Sequence, residues 1–261
     1  MARPPVWLTG LLCLSGLVWV NTASARGQAP TKVAPPSTDK MEKARAAANV
    51  PLANIPDKFR DGVRLTIEKT TLFTQGPVES FACQPHVYLW LVEHPDRGVQ
   101  AWRRLGAQCV MISERGAGRF GWRDEHGSDL QWETVYSAGD RHIWYAEGKV
   151  RPGLLLPLVP VKALVVLRYA QQDAQASSGV QIMQHQADMF LYTDSAGAAL
   201  ATKLLGSAAP NMAQQCVTQM QMFFSGMAWY IHRYPDRAAA LFAAPAPGEA
   251  TLPLGHKPSG N

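Results

Sequence analysis

The most regular hydrophobic pattern in the chain lies between Pro210 and Tyr234. At about 100° per residue, apolar side chains fall in one sector and polar side chains fall opposite. The apolar set is Met212, Cys216, Met220, Phe223, Met227, Tyr230, Ile231 and Tyr234, and the polar set is Gln214, Thr218, Gln221, Ser225 and His232. Pro210 suits the first turn of a helix, and Pro235 stops it. The pattern predicts one long amphipathic helix.

A period of two dominates the middle of the chain and predicts an antiparallel sheet. Alternating segments, separated by turn residues at hairpin spacing, indicate six strands. They are expected at 108–114, 119–124, 130–136, 142–150, 162–169 and 180–192. A further alternation at 63–68, prolonged over 70–73, predicts a first strand and brings the number to about seven. Short antiparallel connections allow one buried face and one polar face, which is the pattern in these segments.

Two short helices are expected between the first strand and the other six. An apolar face over 87–92 indicates the first helix, which Pro95 interrupts. A second apolar face over 99–105 continues until Gly106. A further short helical piece is expected at 197–205. The elements together predict an α+β fold, with a curved antiparallel sheet around the long C-terminal helix.

The first 25 residues show the three parts of a cleaved export signal. Arg3 precedes an apolar run over 6–20, and Ala23-Ser24-Ala25 supplies the small residues of a cleavage site. The run is shorter than the roughly 20 residues that a membrane-spanning helix needs. We therefore expect export to the periplasm or the extracellular space, with an uncleaved membrane anchor as the alternative.

Composition divides the remainder of the chain into three parts. Residues 26–55 are rich in Ala, Pro, Thr and Lys, which predicts a disordered linker. The patterned segments make 56–242 one folded domain, and the Ala, Pro and Gly of 243–261 indicate a disordered tail. The formal net charge of +5 is spread without a dense basic run. Binding to nucleic acid is therefore not expected.

Strand alternation places many aromatic side chains on one face of the sheet. Polar residues such as Gln131 and Glu133 are assigned to solvent, and their neighbours then point inward. The helix opposite supplies flexible methionines, which adapt to irregular neighbours or ligands. The predicted ligand-binding set is Phe120, Trp122, Trp132, Tyr136, Trp144, Tyr169, His185, Met220, Phe223 and Met227. The alternative is that these side chains fill each other's space in an ordinary core.

His185 is the titratable side chain expected to point inward. Gln184, Gln186 and Asp188 share one face of the last strand, so His185 belongs to the other. It could be a satisfied core histidine, an anchor for the polar end of a ligand, or a general acid or base. No carboxylate or nucleophile is placed beside it by the sequence pattern. This weighs against an enzyme.

An apolar loop with three prolines joins two of the strands over 151–160. Its tip is Leu154, Leu155 and Leu156, and positive charges such as Arg151 flank it. An apolar tip with basic flanks could make a transient contact with a membrane. The alternative is a loop that packs over the domain's own core.

Cysteine chemistry and nucleotide or metal motifs add little. Outside the signal segment, Cys83 and Cys109 flank the short helices and form the candidate disulfide, with buried free thiols as the alternative. The GxGxxG letters at 116–121 are followed by a strand where a dinucleotide site needs a helix. The acidic cluster over 124–129 suits a turn better than a calcium loop. No metal site and no cofactor are expected.

The order of the elements resembles the helix-grip fold of the START and polyketide-cyclase-like superfamily. The resemblance covers roughly residues 63–234 and lies in element order and amphipathicity. Members commonly hold lipids, sterols or polyketides between the sheet and the C-terminal helix, and some are enzymes. We therefore expect an exported, non-enzymatic protein that binds a lipid or another apolar small molecule. A cyclase or hydrolase-like enzyme, or an interaction module with a filled core, are the alternatives.

Overall fold

The structure is a computed structural model that describes residues 40–151, 157–172, 181–194 and 208–243. The helices in this part of the chain are α1 (Lys40–Ala48), α2 (Asp57–Glu68), α3 (Pro85–Glu93), α4 (Pro95–Arg104), α5 (Ala208–Arg233) and α6 (Pro235–Ala243). The strands are β1 (Leu72–Gln75), β2 (Glu79–Ala82), β3 (Ser113–Glu114), β4 (Arg119–Arg123), β5 (Asp129–Ala138), β6 (Arg141–Val150), β7 (Val159–Gln172) and β8 (Ile182–Thr193). A short 3₁₀ helix, Leu52–Asn54, precedes α2.

The strands form one curved, unclosed antiparallel sheet in the order β1, β8, β7, β6, β5, β4, β3. β2 continues β1 along the same edge of β8. Gln75 pairs with Asp188, and Glu79 pairs with His185. Three residues lie between Gln75 and Glu79 on the edge, but only two lie between His185 and Asp188 on β8. The three residues Gly76-Pro77-Val78 therefore form a bulge between two halves of one edge strand.

Helices cover both faces of the sheet. On the α5 face, α3, α4 and α5 pack on a buried cluster that includes Trp144, Leu167 and Met183. On the opposite α2 face, α1 and α2 pack on a second cluster that includes Ile143 and Leu164. The prediction of one polar, solvated face is therefore wrong, because the helices that cover it were not recognised in the sequence.

Asp188 shows what that second layer does to the sheet. The sequence assigns it to the polar face, yet its side chain is only 1% exposed beneath α1. Gln75 Nε2 donates to Oδ1 over 2.7 Å, and Arg168 Nη2 lies 3.1 Å from Oδ2. Burial raises the pKa of the Asp188 carboxyl, and Arg168 opposes the rise. A buried carboxylate needs such partners to offset its loss of hydration.

The predicted strand at 63–68 is wrong, since these residues form the second half of α2. Phe59, Val63, Thr66 and Ile67 face the sheet at helical spacing, and Val63 and Thr66 are fully buried. A six-residue window fits both periods, and only the longer segment decides between them. The predicted prolongation at 70–73 overlaps β1, which is the true beginning of the sheet.

The folded unit begins before the predicted linker ends. Residues 40–55 contain α1, and Ala46, Val50 and Ile55 are buried in the α2-face cluster. Composition alone predicted a linker because the segment has few large apolar residues. Residues 26–39, like the predicted export signal and the predicted tail beyond 243, lie outside the described residues.

The fold class and the other main elements are confirmed. α3 and α4 meet at His94 and Pro95, and Gly106, at φ +94°, follows the end of α4. β4 to β8 match their predicted segments within a few residues, whereas 108–114 retains only the two-residue β3. The long C-terminal helix is α5. The predicted helical piece at 197–205 lies outside the described residues.

The buried stripe of α5 is rotated from the predicted one. It contains Ala213, Val217, Gln221, Phe224 and Ala228, together with the predicted Phe223 and Met227. Gln221 was predicted to face solvent, but its Nε2 donates to the carbonyl of Pro77 over 2.7 Å. The helix lies against the bulged edge β1–β2, where an open carbonyl needs a donor.

No described helix is long and apolar enough to cross a membrane.

Candidate functional site

Most of the predicted ligand-binding residues meet on the α5 face. Trp144, His185 and Met227 are buried there, and Tyr169, Met220 and Phe223 pack in the same region. Trp132 packs at the border of this cluster. The ring centroid of Phe120 on β4 lies 6.1 Å from the ring centroid of Trp132. Trp122 follows on the same face of β4, paired with Leu130. The sheet alternation therefore predicts this surface well.

Tyr136 is the exception and belongs to the α2 face. The register between β5 and β6 shifts between Thr134 and Tyr136, so Tyr136 pairs with Ile143. Val135 and Ile143 are buried in the α2-face cluster, and Tyr136 packs against it. A bulge inserts one residue and reverses the side-chain direction after it. Simple alternation cannot foresee such an insertion, and the prediction that Tyr136 faces α5 is wrong.

Trp144 occupies the centre of the interface between the sheet and α5. Its ring stacks on Phe224 of α5, with centroids 5.8 Å apart and planes 8° apart. The side chain is 6% exposed, and its Nε1 has no hydrogen-bond partner within the described part of the chain. A buried donor without an acceptor costs about 1–3 kcal/mol. Phe224 was not in the predicted set, although it directly follows Phe223.

His142 lies beside Trp144 and was missed by the sequence analysis. The two rings are 4.7 Å apart, and His142 Nε2 lies 3.0 Å from Thr134 Oγ1. Burial lowers the pKa of His142 to about 4, so the imidazole is neutral at neutral pH. The alternation that places Trp144 on this face also places His142 there, two residues earlier. The site therefore pairs a neutral imidazole with an indole donor.

Flexible side chains belong to the same buried cluster as Trp144. Met183 and Met189 of β8 and Met227 of α5 are buried in the α5-face cluster, and Met220 packs at its border. Methionine has three rotatable bonds and a polarisable sulfur, so it can repack around a different neighbour at low cost. Leu and Ile would hold a fixed shape more strictly. The interface is closely packed and also adaptable.

A partly buried chain of hydrogen bonds lies at one end of the interface. Tyr88 Oη lies 2.9 Å from His185 Nδ1, and His185 Nε2 lies 3.1 Å from Glu79 Oε2. Ser225 Oγ donates to the same carboxylate oxygen over 3.0 Å. The chain joins α3, β8, β2 and α5. His185 faces inward as predicted, and it has a carboxylate neighbour that the sequence did not place.

Both nitrogens of His185 are engaged within the protein. Tyr88 is fully buried, and burial, followed by the nearby Tyr169, raises the pKa of its hydroxyl well above the ordinary value. A catalytic imidazole or phenol needs a free edge toward a substrate. The geometry instead suits a polar contact that holds α5 against the sheet. Glu79 was missed because its edge strand β2 is too short to show a period.

Cys83 and Cys109 carry free thiols in the structure, so the predicted bridge between them is not formed. Cys83 is fully buried next to α3, and burial raises the pKa of its thiol to about 12. A thiol with so high a pKa is a poor nucleophile. Cys83 is therefore a small core residue.

Among the described residues, no group of His, Cys, Asp and Glu could hold a metal ion.

Two cavities in the described part of the chain lie away from Trp144. The larger, about 140 Å³, opens between α2 and the strands β4 to β6 and is lined by Lys58, Phe59, Arg119, Gln131, Trp132, Glu133, Tyr145 and Glu147. The smaller, about 90 Å³, lies under α1 beside Arg168. The interface around Trp144 is closed by contact with α5.

The predicted apolar loop tip, Leu154, Leu155 and Leu156, lies outside the described residues.

Comparison with known proteins identifies no family. No family model and no curated protein matches the sequence. Among solved structures, a conserved protein from Geobacillus kaustophilus is similar with a TM-score of 0.40 and 12% identity, over 61% of this chain and 97% of that chain. A likeness at that level carries no functional information. The antiparallel sheet with its C-terminal helix nevertheless fits a helix-grip-like arrangement.

Proposed function

We propose that this protein binds an apolar small molecule, such as a lipid, between the sheet and α5. The observation that carries the proposal is the buried Trp144 N–H, which has no acceptor among the described residues. A native interior usually pairs such a donor with a protein group, an ordered water or a ligand, and the proposal here is a ligand. The bound molecule would carry a hydroxyl or carbonyl oxygen that accepts from Trp144 Nε1. The rest of the molecule would lie among aromatic and methionine side chains.

The surroundings of Trp144 match that chemistry. Phe224 covers its ring, and Met189 lies on β8 in the same cluster. Apolar surface gains about 25 cal/mol per Å² when it leaves water, so a hydrocarbon chain would supply most of the binding free energy. The neutral His142 beside Trp144 adds no charge that an apolar ligand would have to desolvate. This favours a neutral lipid or a similar molecule over a charged metabolite.

Binding requires α5 to move, because Phe224 occupies the space over Trp144. α5 is attached to the edge strand by two polar contacts, from Gln221 to Pro77 and from Ser225 to Glu79. Polar contacts of this kind can break and reform at modest cost when water replaces them. The proposed cycle is therefore release of these contacts, displacement of Phe224 and closure over the ligand. The resemblance to START-like proteins, which hold ligands at this place, supports the same arrangement.

Two ligands distinguish a binding site from a filled core. Methyl cis-parinarate carries a neutral ester carbonyl that can accept a hydrogen bond, whereas diphenylhexatriene is a hydrocarbon without an acceptor. The protein should bind both, and Trp144→Phe should weaken binding of methyl cis-parinarate about five- to ten-fold while leaving binding of diphenylhexatriene unchanged. Trp229→Phe, at an exposed tryptophan, is the matched control. If neither ligand binds, and solvent extraction of the native protein yields no lipid, the core is simply filled.

The chain from Tyr88 through His185 to Glu79 supports a second candidate, an enzyme that uses His185 as acid or base. Phenol, imidazole and carboxylate within hydrogen-bond distance form a known arrangement for proton transfer. Because both nitrogens of His185 are engaged, a substrate could reach the imidazole only after Tyr88 or Glu79 releases it. Any turnover found for the protein should then fall at least 100-fold in His185→Gln. Unchanged turnover in that variant would reject this candidate.

Export to the periplasm or the extracellular space is part of our main proposal, and fractionation of cells would test it.

A further inference from the structure

The junction of α5 and α6 carries a compact group of exposed aromatic residues. Trp229 is 46% exposed and Tyr234 is 37% exposed, and their rings are 6.1 Å apart at an angle of 88°. Tyr230 lies next to Tyr234, with ring centroids 5.4 Å apart. Met222 is also exposed, seven residues before Trp229 and on the same side of the helix. Large aromatic side chains grouped on a surface usually mark a place of interaction.

Two arginine side chains lie over the Tyr234 ring of this aromatic group. The guanidinium of Arg233 is 5.7 Å from the Tyr234 ring centroid, and that of Arg237 is 5.4 Å from it. Within the described part of the chain, neither forms an ion pair with a carboxylate. His232 and Asp236 are the other titratable groups of this stretch, and both are exposed. The junction is therefore positively charged and aromatic.

That combination fits the surface of an anionic bilayer. Tryptophan and tyrosine favour the boundary between lipid headgroups and hydrocarbon, because each ring has an apolar body and one polar atom. Arginines beside them can bind headgroup phosphates, and each basic residue near an anionic surface increases binding about five-fold. Nucleic acid would require a larger basic area. A globular protein partner would require more buried apolar area than a few side chains supply.

We infer that the α5–α6 junction, formed by Trp229, Tyr230, Arg233, Tyr234 and Arg237, docks on anionic lipid bilayers. Trp229 and Tyr234 enter the headgroup region, and the two arginines contact lipid phosphates. The docked surface lies at the C-terminal end of the helix that covers Trp144. Docking is independent of the proposed ligand site, and it would persist if that site were a filled core. It also identifies the membrane as the place where a lipid ligand could be exchanged.

Quenching by brominated lipid tests the docking at one residue. The full chain is mixed with vesicles of phosphatidylcholine containing about a third phosphatidylglycerol, with bromine on the acyl chains. Trp7 and Trp19 of the N-terminal segment contribute the same background to every variant. We expect quenching of tryptophan fluorescence that is smaller in Trp229→Phe than in the parent chain and is unchanged in Trp90→Phe, which alters another exposed tryptophan. Because the apolar N-terminal segment could itself bind vesicles, this residue-specific signal is the deciding one.

Charge provides the second arm of the test. Replacement of Arg233 and Arg237 by Gln should lower the partition coefficient on anionic vesicles about thirty-fold. The same change at Arg64 and Lys69, exposed on the opposite side of the sheet, should have little effect. Equal quenching in Trp229→Phe, or equal binding of the two double variants, would overturn the inference. Binding to pure phosphatidylcholine as strong as to the anionic vesicles would also contradict it.

Discussion

The ring of Trp144 on β6 lies parallel to the ring of Phe224 on α5, with 5.8 Å between their centroids. This contact joins the middle of the sheet to the long helix. It also covers an indole N–H that has no acceptor within the described residues. The same two residues therefore carry both the packing of α5 and the proposed ligand site.

Phe224→Ala should separate these two roles. Removal of a buried phenylalanine costs about 3–5 kcal/mol of unfolding free energy, which urea titration measures. If Phe224 occupies the ligand's place, the cavity left behind should also tighten binding of diphenylhexatriene. Trp229→Ala, at an exposed position of the same helix, should change stability by less than about 0.5 kcal/mol. A loss of stability without any gain in ligand binding would favour a filled core.

The buried His142 should make stability depend on pH. Its pKa is lowered from 6.5 to about 4 in the folded protein, so the unfolded chain binds the proton more readily. The contribution of His142 to the free energy of unfolding should therefore fall as pH decreases from 6.5 to 4, by up to about 3 kcal/mol, and be constant above 6.5. His142→Gln should remove this part of the dependence. The measurement is the difference in unfolding free energy between the parent protein and His142→Gln at each pH. The difference is needed because the raised pKa of Asp188 changes stability with pH in the opposite direction.

Gly76 is required by the close approach of α5 to the bulged edge. A Cβ built at this position would lie 1.8 Å from Gln221 Oε1 and 2.7 Å from a methyl group of Val217. Gly76→Ala should therefore destabilise the protein by about 1–3 kcal/mol. Shortening Gln221 to Ala in the same chain should recover part of the loss, because it removes the nearer obstacle. If the two changes are simply additive in urea titrations, the assumed contact is not the cause.

The sequence predicted the elements with a long, uninterrupted period and missed those that depend on distant partners. α5 and the strands β4 to β8 fall in the first group. α2 was taken for a strand because Val63, Leu65 and Ile67 alternate within a short window, while its burial depends on the sheet face it covers. Tyr136 changed face because of one inserted residue in β5. Neither fact is contained in local periodicity.

The candidate site shows the same division. Trp144 and His185 were placed on the inner face by alternation alone. Glu79 could not be placed beside His185, because the contact joins residues that are 106 positions apart through a four-residue edge strand. Phe224 was excluded because the predicted stripe of α5 was centred on the methionines. The actual stripe is set by the bulge at Gly76 and the carbonyl of Pro77, which sequence periodicity does not describe.

The attachment of α5 to the edge strand should weaken in Glu79→Gln. The amide cannot accept charge-assisted hydrogen bonds from both His185 and Ser225, and such bonds contribute about 1.5–3 kcal/mol. Hydrogen exchange of the amides around Ser225 should become faster, with little change in the strands β4 to β6. Glu133→Gln, at a carboxylate on the far side of the sheet, is the control. Equal acceleration throughout the protein would mean that Glu79 supports global stability and does not hold α5 in particular.

The indole N–H resonance of Trp144 tests the central claim most directly. The chain has eight tryptophans, and the signal of Trp144 is identified by its absence in Trp144→Phe. Addition of methyl cis-parinarate should shift this resonance downfield and slow its exchange with water, since the N–H gains an acceptor. The indole signal of the exposed Trp229 should change little. A Trp144 resonance that stays unchanged at saturating ligand would contradict the proposed site.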